Sequence, residues 1–295
     1  MKSANLVPRK SSRPKWLKIR LDTSEKFMKT QRLMRVQGLH TVCEEAKCPN
    51  IYECWGRQTA TIMILGDTCT RSCGFCSVKT GKPQNINYNE PMKTAEAVKS
   101  MQLRHVVITS VDRDDLKNDY GATIWAETIY KVRDLVPECT IEVLTPDFRN
   151  YSIAYKKVFH ARPDIFSHNI ECVERISRQV RPQSDWIRSK SLLKSSVDYG
   201  LKTKTGIMVG LGENDEEVLA TMEEIVSLGV VIFNIGQYLQ PTKNHLPVKR
   251  FVHPEVFSMY KEKGLEMGFK VVESGPLVRS SYHADEQAKE LVNFN

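Results

Sequence analysis

From about position 59 onward the chain switches between two hydrophobic spacings. Short apolar runs rich in β-branched residues occupy positions 59–65, 105–109, 140–144, 164–167, 203–209 and 230–235, the signature of strands. Longer stretches with apolar residues three and four apart follow them, at 94–102, 122–135, 151–159, 184–199, 215–228 and 254–267, the signature of helices. A strand-then-helix unit repeated six times predicts a parallel sheet, because parallel neighbours need a long crossover between them. Six such units suit a barrel that closes in part or an open, doubly wound sheet, and the spacing does not choose between them.

Both architectures collect ligands at the carboxyl ends of their strands, so the polar residues there are site candidates. They read Gly66-Asp67-Thr68, Ser110-Val111-Asp112-Arg113, Thr145-Pro146-Asp147, His168-Asn169-Ile170-Glu171, Gly210-Leu211-Gly212-Glu213 and Gly236-Gln237-Tyr238. Asn214 and Asp215, followed by Glu216 and Glu217, read as the cap and acidic first turn of a helix.

With 41% hydrophobic and 26% charged residues and a mean hydropathy of −0.39, the 295-residue chain has the profile of a folded globular protein. No run approaches the ~18 apolar residues of a spanning helix, and the first ten residues lack the apolar core of a secretory signal. The expected location is the cytoplasm, with no membrane association. The net charge of +8 sits at one end: positions 1–36 hold eleven Lys and Arg against Asp22 and Glu25, which leaves the remainder at −1. A neutral body with a basic arm fits electrostatic steering of an acidic partner, which could be RNA, a membrane surface or a protein domain, or a merely solubilising tail.

Eight cysteines stand at 43, 48, 54, 69, 73, 76, 139 and 172, and six of them fall within 34 residues. In a reducing compartment such clustering points to metal or redox chemistry rather than disulfides. Cys139 and Cys172 lie singly in apolar segments and are expected to be buried. Cys69, Cys73 and Cys76 form a C-x3-C-x2-C run just past the first strand. Structural zinc wants four ligands, and no fourth Cys or His is close in sequence. Three thiolates on a [4Fe–4S] cube would leave one iron open to an outside ligand, which implies chemistry.

This C-x3-C-x-aromatic-C loop, after the first strand of a six-unit βα chain, resembles the radical S-adenosylmethionine (SAM) superfamily. The resemblance implies a partial (β/α)6 TIM-type barrel, and an open iron that chelates SAM and cleaves it to a 5′-deoxyadenosyl radical. Phe75 would then pack near the adenine. Asn169 and Glu171 would serve the ribose and methionine ends, and Gly210 and Gly212 would offer a backbone approach. Each of these could equally be a core or turn residue.

A second triad, Cys43, Cys48 and Cys54, has the spacing C-x4-C-x5-C and precedes the first strand. Taken with Arg279-Ser280-Ser281-Tyr282-His283-Ala284 near the other end, it resembles the lipoyl synthase family, as do the stretches 109–115, 167–171 and 206–213. That resemblance implies insertion of two sulfurs at C6 and C8 of a protein-bound octanoyl-lysine, the sulfur coming from an auxiliary [4Fe–4S] cluster. Its fourth ligand would be Ser281, with Ser280 the close alternative. Two SAM molecules would be consumed. The implied organisation is a basic arm at 1–36, an auxiliary extension at 37–58, the barrel at 59–272 and a closing segment at 273–295. The implied partners are octanoylated carrier domains, namely E2 subunits of 2-oxoacid dehydrogenases and the glycine cleavage H protein. An electron donor such as ferredoxin or flavodoxin and an iron–sulfur carrier complete the set, with no nucleic acid. Five histidines, at 105, 160, 245, 253 and 283, show no metal spacing.

A radical methylthiotransferase acting on tRNA would also pair two clusters and use a basic arm, but an RNA-binding β-domain is not evident and the auxiliary spacing differs. An electron carrier would be small and ligated by cysteine throughout.

Overall fold

Ten short strands follow one another along the described chain: β1 (His40–Thr41), β2 (Thr61–Ile64), β3 (Thr68–Cys69), β4 (Lys79–Thr80), β5 (His105–Ser110), β6 (Thr140–Leu144), β7 (Ile165–Ser167), β8 (Thr203–Val209), β9 (Ile232–Gln237) and β10 (Val271–Gly275). This computed structural model describes residues 13–17, 27–28, 31–32, 34, 40–45, 48, 50–56 and 61–291, so the expected basic arm lies largely outside the described residues.

Eight of the strands form one sheet in the order β1-β2-β5-β6-β7-β8-β9-β10, and β3 and β4 form a separate parallel pair. From β2 to β10 every pairing is parallel, and only β1 runs antiparallel to its neighbour. Strand order thus follows chain order without the reversal that defines a doubly wound sheet. Since crossovers are right-handed, winding in one direction puts the helices on one face and the sheet curls around the other. The architecture is the partial parallel α/β barrel. It carries one parallel strand more than the six expected, β10, and β1 was not expected either.

The two faces of the strands explain what is inside. Residues alternate in direction along a strand. Ile62, Ile64, Val106, Ile108, Ile141 and Val143 pack into the apolar core with Trp125, Ile129 and Val158 from the helices Ala122–Leu135 and Ser152–His160. The opposite face carries Thr61, Thr109, Gly206, Asn234 and Gly236, small or polar residues that line a cavity instead of filling the barrel. Below them, Lys204 on β8 reaches Glu142 on β6 at 2.9 and 3.1 Å, with His105 on β5 at 3.8 Å from the same carboxylate. All three side chains are buried. The amino ends of the strands are covered by the helix Ala284–Leu291, whose Ala288 packs on Ile165, Ile232 and Val271.

Helix limits follow local chemistry. Asn214 caps the helix Asp215–Ser227 with Glu217 returning the bond, a reciprocal capping box. Gly268, at φ 112°, ends the helix Pro254–Met267 in a backbone conformation that favours glycine. Among the described residues no helix is long and apolar enough to cross a membrane.

Candidate active site

The cavity inside the barrel, about 470 Å³, is lined by two groups of thiols. Cys69, Cys73 and Cys76 form one, and Cys43 and Cys48 form the other, with Ser280 and Ser281 on the same wall. Cys54 is not part of the wall; it sits on the helix Ile51–Gly56, packed against the larger apolar core.

The loop bearing the first three thiols is held from several sides. Gly74 donates its N–H to the Val180 carbonyl and accepts from Leu246 N–H, both at 2.9 Å, and a ring nitrogen of His245 lies 2.9 Å from the Cys76 carbonyl. The Cys69 thiol faces an Asp112 carboxylate oxygen at 3.6 Å and accepts from Asp112 N–H at 3.3 Å. Between the cysteines Arg71 is buried among Asp112, Asp114 and Asp147. Burial pushes the Cys69 and Cys43 thiols up to about 12. They are therefore neutral until a metal supplies compensating charge, and loading a cluster must release their protons.

Around the second group, segments more than 200 residues apart meet. Asn50 donates to the Leu277 carbonyl at 2.6 Å, and Tyr282 and His283 both reach the Glu53 carboxylate, at 3.2 and 3.0 Å. The Thr61 hydroxyl donates to Ser281 Oγ at 2.7 Å, while Ser280 Oγ accepts from Asn169 at 2.5 Å. Asn234, on β9, donates to the Ser280 carbonyl at 3.1 Å. Gly236 makes this approach possible: a Cβ there would stand 2.1 Å from the Val278 carbonyl oxygen. Ser77 bridges the two cysteine segments by donating to the Glu45 carbonyl at 2.8 Å.

A family model described as the radical SAM superfamily matches residues 63–225. A lipoyl synthase of Rubrobacter xylanophilus is 55% identical over 280 residues, covering 94% of this chain and 87% of that protein. The mitochondrial lipoyl synthase of Nematostella vectensis is 48% identical over 282 residues, covering 95% and 97%. The chain belongs to the lipoyl synthase family. Two solved structures share the fold at low identity. SuiB of Streptococcus suis bound to S-adenosylmethionine has a TM-score of 0.57 at 11% identity, covering 86% of this chain and 62% of that one. Methylornithine synthase (PylB) has a TM-score of 0.54 at 12% identity, covering 83% and 82%.

Membership in the lipoyl synthase family makes the chain a radical SAM enzyme that uses two [4Fe–4S] clusters and SAM. The donor set fits them. Two groups of thiols face one cavity, and soft thiolates suit iron–sulfur clusters. The wall also presents buried polar atoms without hydrogen-bond partners, Asn169 Oδ1, Arg181 Nε and Asn234 Oδ1.

Of the cofactor residues expected from the family pattern, Phe75, Asn169 and Glu171 lie on the wall, and Gly210 and Gly212 do not. Gly210 is required by packing, since a Cβ would stand 2.2 Å from Gln237 Nε2 and 2.4 Å from the Arg250 carbonyl. Glu213 accepts the Gly210 and Leu211 N–H groups and so fastens the turn. Burial pushes the Glu171 carboxyl up and nearby Arg181 opposes the shift. Arg181, which bonds the Asn169 carbonyl at 2.7 Å, escaped the sequence reading along with Arg71 and Asn234. Arg181 ends a helix, Glu174–Val180, with little apolar period, and Asn234 is a polar inner-face residue within an apolar strand. Cys139 and Cys172 are buried, as expected.

Proposed function

We propose that Cys69, Cys73 and Cys76 hold the SAM-cleaving cluster, and that Cys43, Cys48, Cys54 and Ser281 hold the cluster consumed as sulfur donor. The chain would then insert sulfur at C6 and C8 of an octanoyl-lysine presented by a carrier domain. The observation that carries this reading is that both cysteine groups line one cavity, with residues 279–281 brought against the second group. When bound, the two clusters and SAM supply the 5′-deoxyadenosyl radical and the sulfide.

The protein's own share is placement. Glu171 and Arg181 offer opposite charges for the ammonium and carboxylate of SAM, Asn169 offers an amide to the ribose, and Phe75 an apolar face to the adenine. Ser281 is favoured over Ser280 as the iron ligand. It leans on Thr61, whose backbone also bonds Cys43, whereas Ser280 accepts from Asn169, the residue assigned to the ribose. An oxygen ligand on iron is a mismatched partner beside three thiolates, which suits a cluster that must come apart.

Carrier domains of 2-oxoacid dehydrogenase E2 subunits and the glycine cleavage H protein are the proposed substrates, with the arm at 1–36 drawing in their acidic surface. Arg13, a described residue of that arm, already lines the cavity. A ferredoxin or flavodoxin as reductant, an iron–sulfur carrier and a cytoplasmic setting complete the proposal. So does the division into arm, extension at 37–58, barrel at 59–272 and closing segment at 273–295.

Anaerobic reconstitution should load ~8 irons per chain. With SAM, reductant and an octanoyl-lysine peptide it should yield 5′-deoxyadenosine and a peptide heavier by two sulfurs. Zinc in place of iron, or a lone cube insensitive to Cys48, would refute the assignment. Ser281→Ala should keep SAM cleavage and lose most sulfur insertion; full insertion yield from that variant would move the ligand to another residue.

A further inference from the structure

Three consecutive residues after β6, Phe148, Arg149 and Asn150, have left-handed backbone, with φ of 46°, 52° and 58°. Side chains bearing a Cβ disfavour this region, and a run of three persists only where its surroundings over-determine it. Here they do. Phe148 is buried in the core, and Asp147 accepts the Arg149 N–H at its carboxylate, 3.0 Å, and the Asn150 N–H at its carbonyl, 2.8 Å. The Arg149 guanidinium is tied to Asp114 at 2.6 Å.

The turn delivers the buried Asp147 carboxylate to Arg71, 2.6 Å away. Arg71 lies midway between Cys69 and Cys73 and also forks onto Asp114 at 2.8 and 2.9 Å and approaches Asp112 at 3.2 Å. Planar, forked pairing fixes a guanidinium in orientation as well as position. Asp112 in turn faces the Cys69 thiol. A chain of charged contacts therefore runs from a strained turn on β6 to the cysteine loop after β2. A solvated surface arginine would need none of it.

We propose that Asp147, aimed by the left-handed turn, is a positioning residue that sets the cysteine loop through Arg71. This rests on reading Cys69, Cys73 and Cys76 as cluster ligands. Displacing the loop changes the charges and N–H groups around whatever the thiolates bind, and with them its potential.

The test uses the full chain with Asp147→Ala, Asn150→Pro and Asn150→Gly. Proline cannot adopt the left-handed φ, whereas glycine can, and neither substitution touches Arg71. In the metal-free protein, amide hydrogen exchange at residues 69–76 should rise about tenfold in Asp147→Ala and Asn150→Pro, the scale of one lost charge-assisted hydrogen bond, and stay at the parental rate in Asn150→Gly. After reconstitution, a redox titration followed by EPR should give a midpoint displaced from the parental one for the first two variants only. Parental exchange or a parental midpoint in Asp147→Ala overturns the inference, and that variant decides alone if Asn150→Pro does not fold. A parental chain with no cube at this loop would instead refute the ligand reading itself.

Discussion

Cys69→Ala is expected to end SAM cleavage, with 5′-deoxyadenosine falling by at least about 10³-fold, whereas Cys48→Ala should retain cleavage and lose only sulfur insertion. The contrast follows from geometry. Cys69 belongs to the thiol group that faces Glu171 and Arg181, while Cys48 faces Arg279. On the proposed assignment, removing a loop thiolate would take away one of the three anchors of the SAM-side cluster. Quantifying 5′-deoxyadenosine and the mass of an octanoyl-lysine peptide in parallel separates the two losses. Equal failure of both products in both variants would mean that the triads do not divide the labour.

The second large effect concerns stability. Lys204→Met should destabilise the fold by about 3–5 kcal/mol, because it leaves the buried Glu142 carboxylate without its cation. For a chain of this size that corresponds to a fall in Tm on the order of 10 °C. Adding Glu142→Leu should recover most of it, since a matched apolar pair replaces a matched ionic one. Burial works to raise the Glu142 carboxyl, but Lys204 and His105 overcome it and hold it below the usual range. A group with a lowered folded pKa contributes stability above its unfolded value and loses it as pH falls through the folded one. The parental chain should therefore weaken with acid more steeply than the double variant, as thermal melts at several pH values would show. A Lys204→Met chain that melts with the parent would rule out the buried-charge explanation.

Much of the scaffold could be read in advance because its signals are local. β6 and β8 and the helices Ala122–Leu135 and Pro254–Met267 coincide with their expected limits, and the Asn214 cap pairs with Glu217 as its sequence implies. β10 was missed because Val271–Gly275 is short and precedes a Gly-Pro pair that reads as a turn. The cysteine triads were visible as spacing. What lies between them was not, because Asn234, Arg181 and Arg71 acquire meaning only when β9, the end of a helix and the cysteine loop face one cavity. The left-handed turn at Phe148–Asn150 carries no glycine, and Asn150 alone is of a residue type that favours such a backbone.

The pairing of Asn50 with Leu277, of Glu53 with Tyr282 and His283, and of Thr61 with Ser281 also orders events during synthesis. Contacts this distant along the chain close last. A nascent polypeptide still emerging from the ribosome can assemble most of its strands and helices, but it lacks the latch that joins its beginning to its end. On the proposed ligand set, loading of the second cluster would be completed only after synthesis, and a donor of iron and sulfide would meet the finished protein.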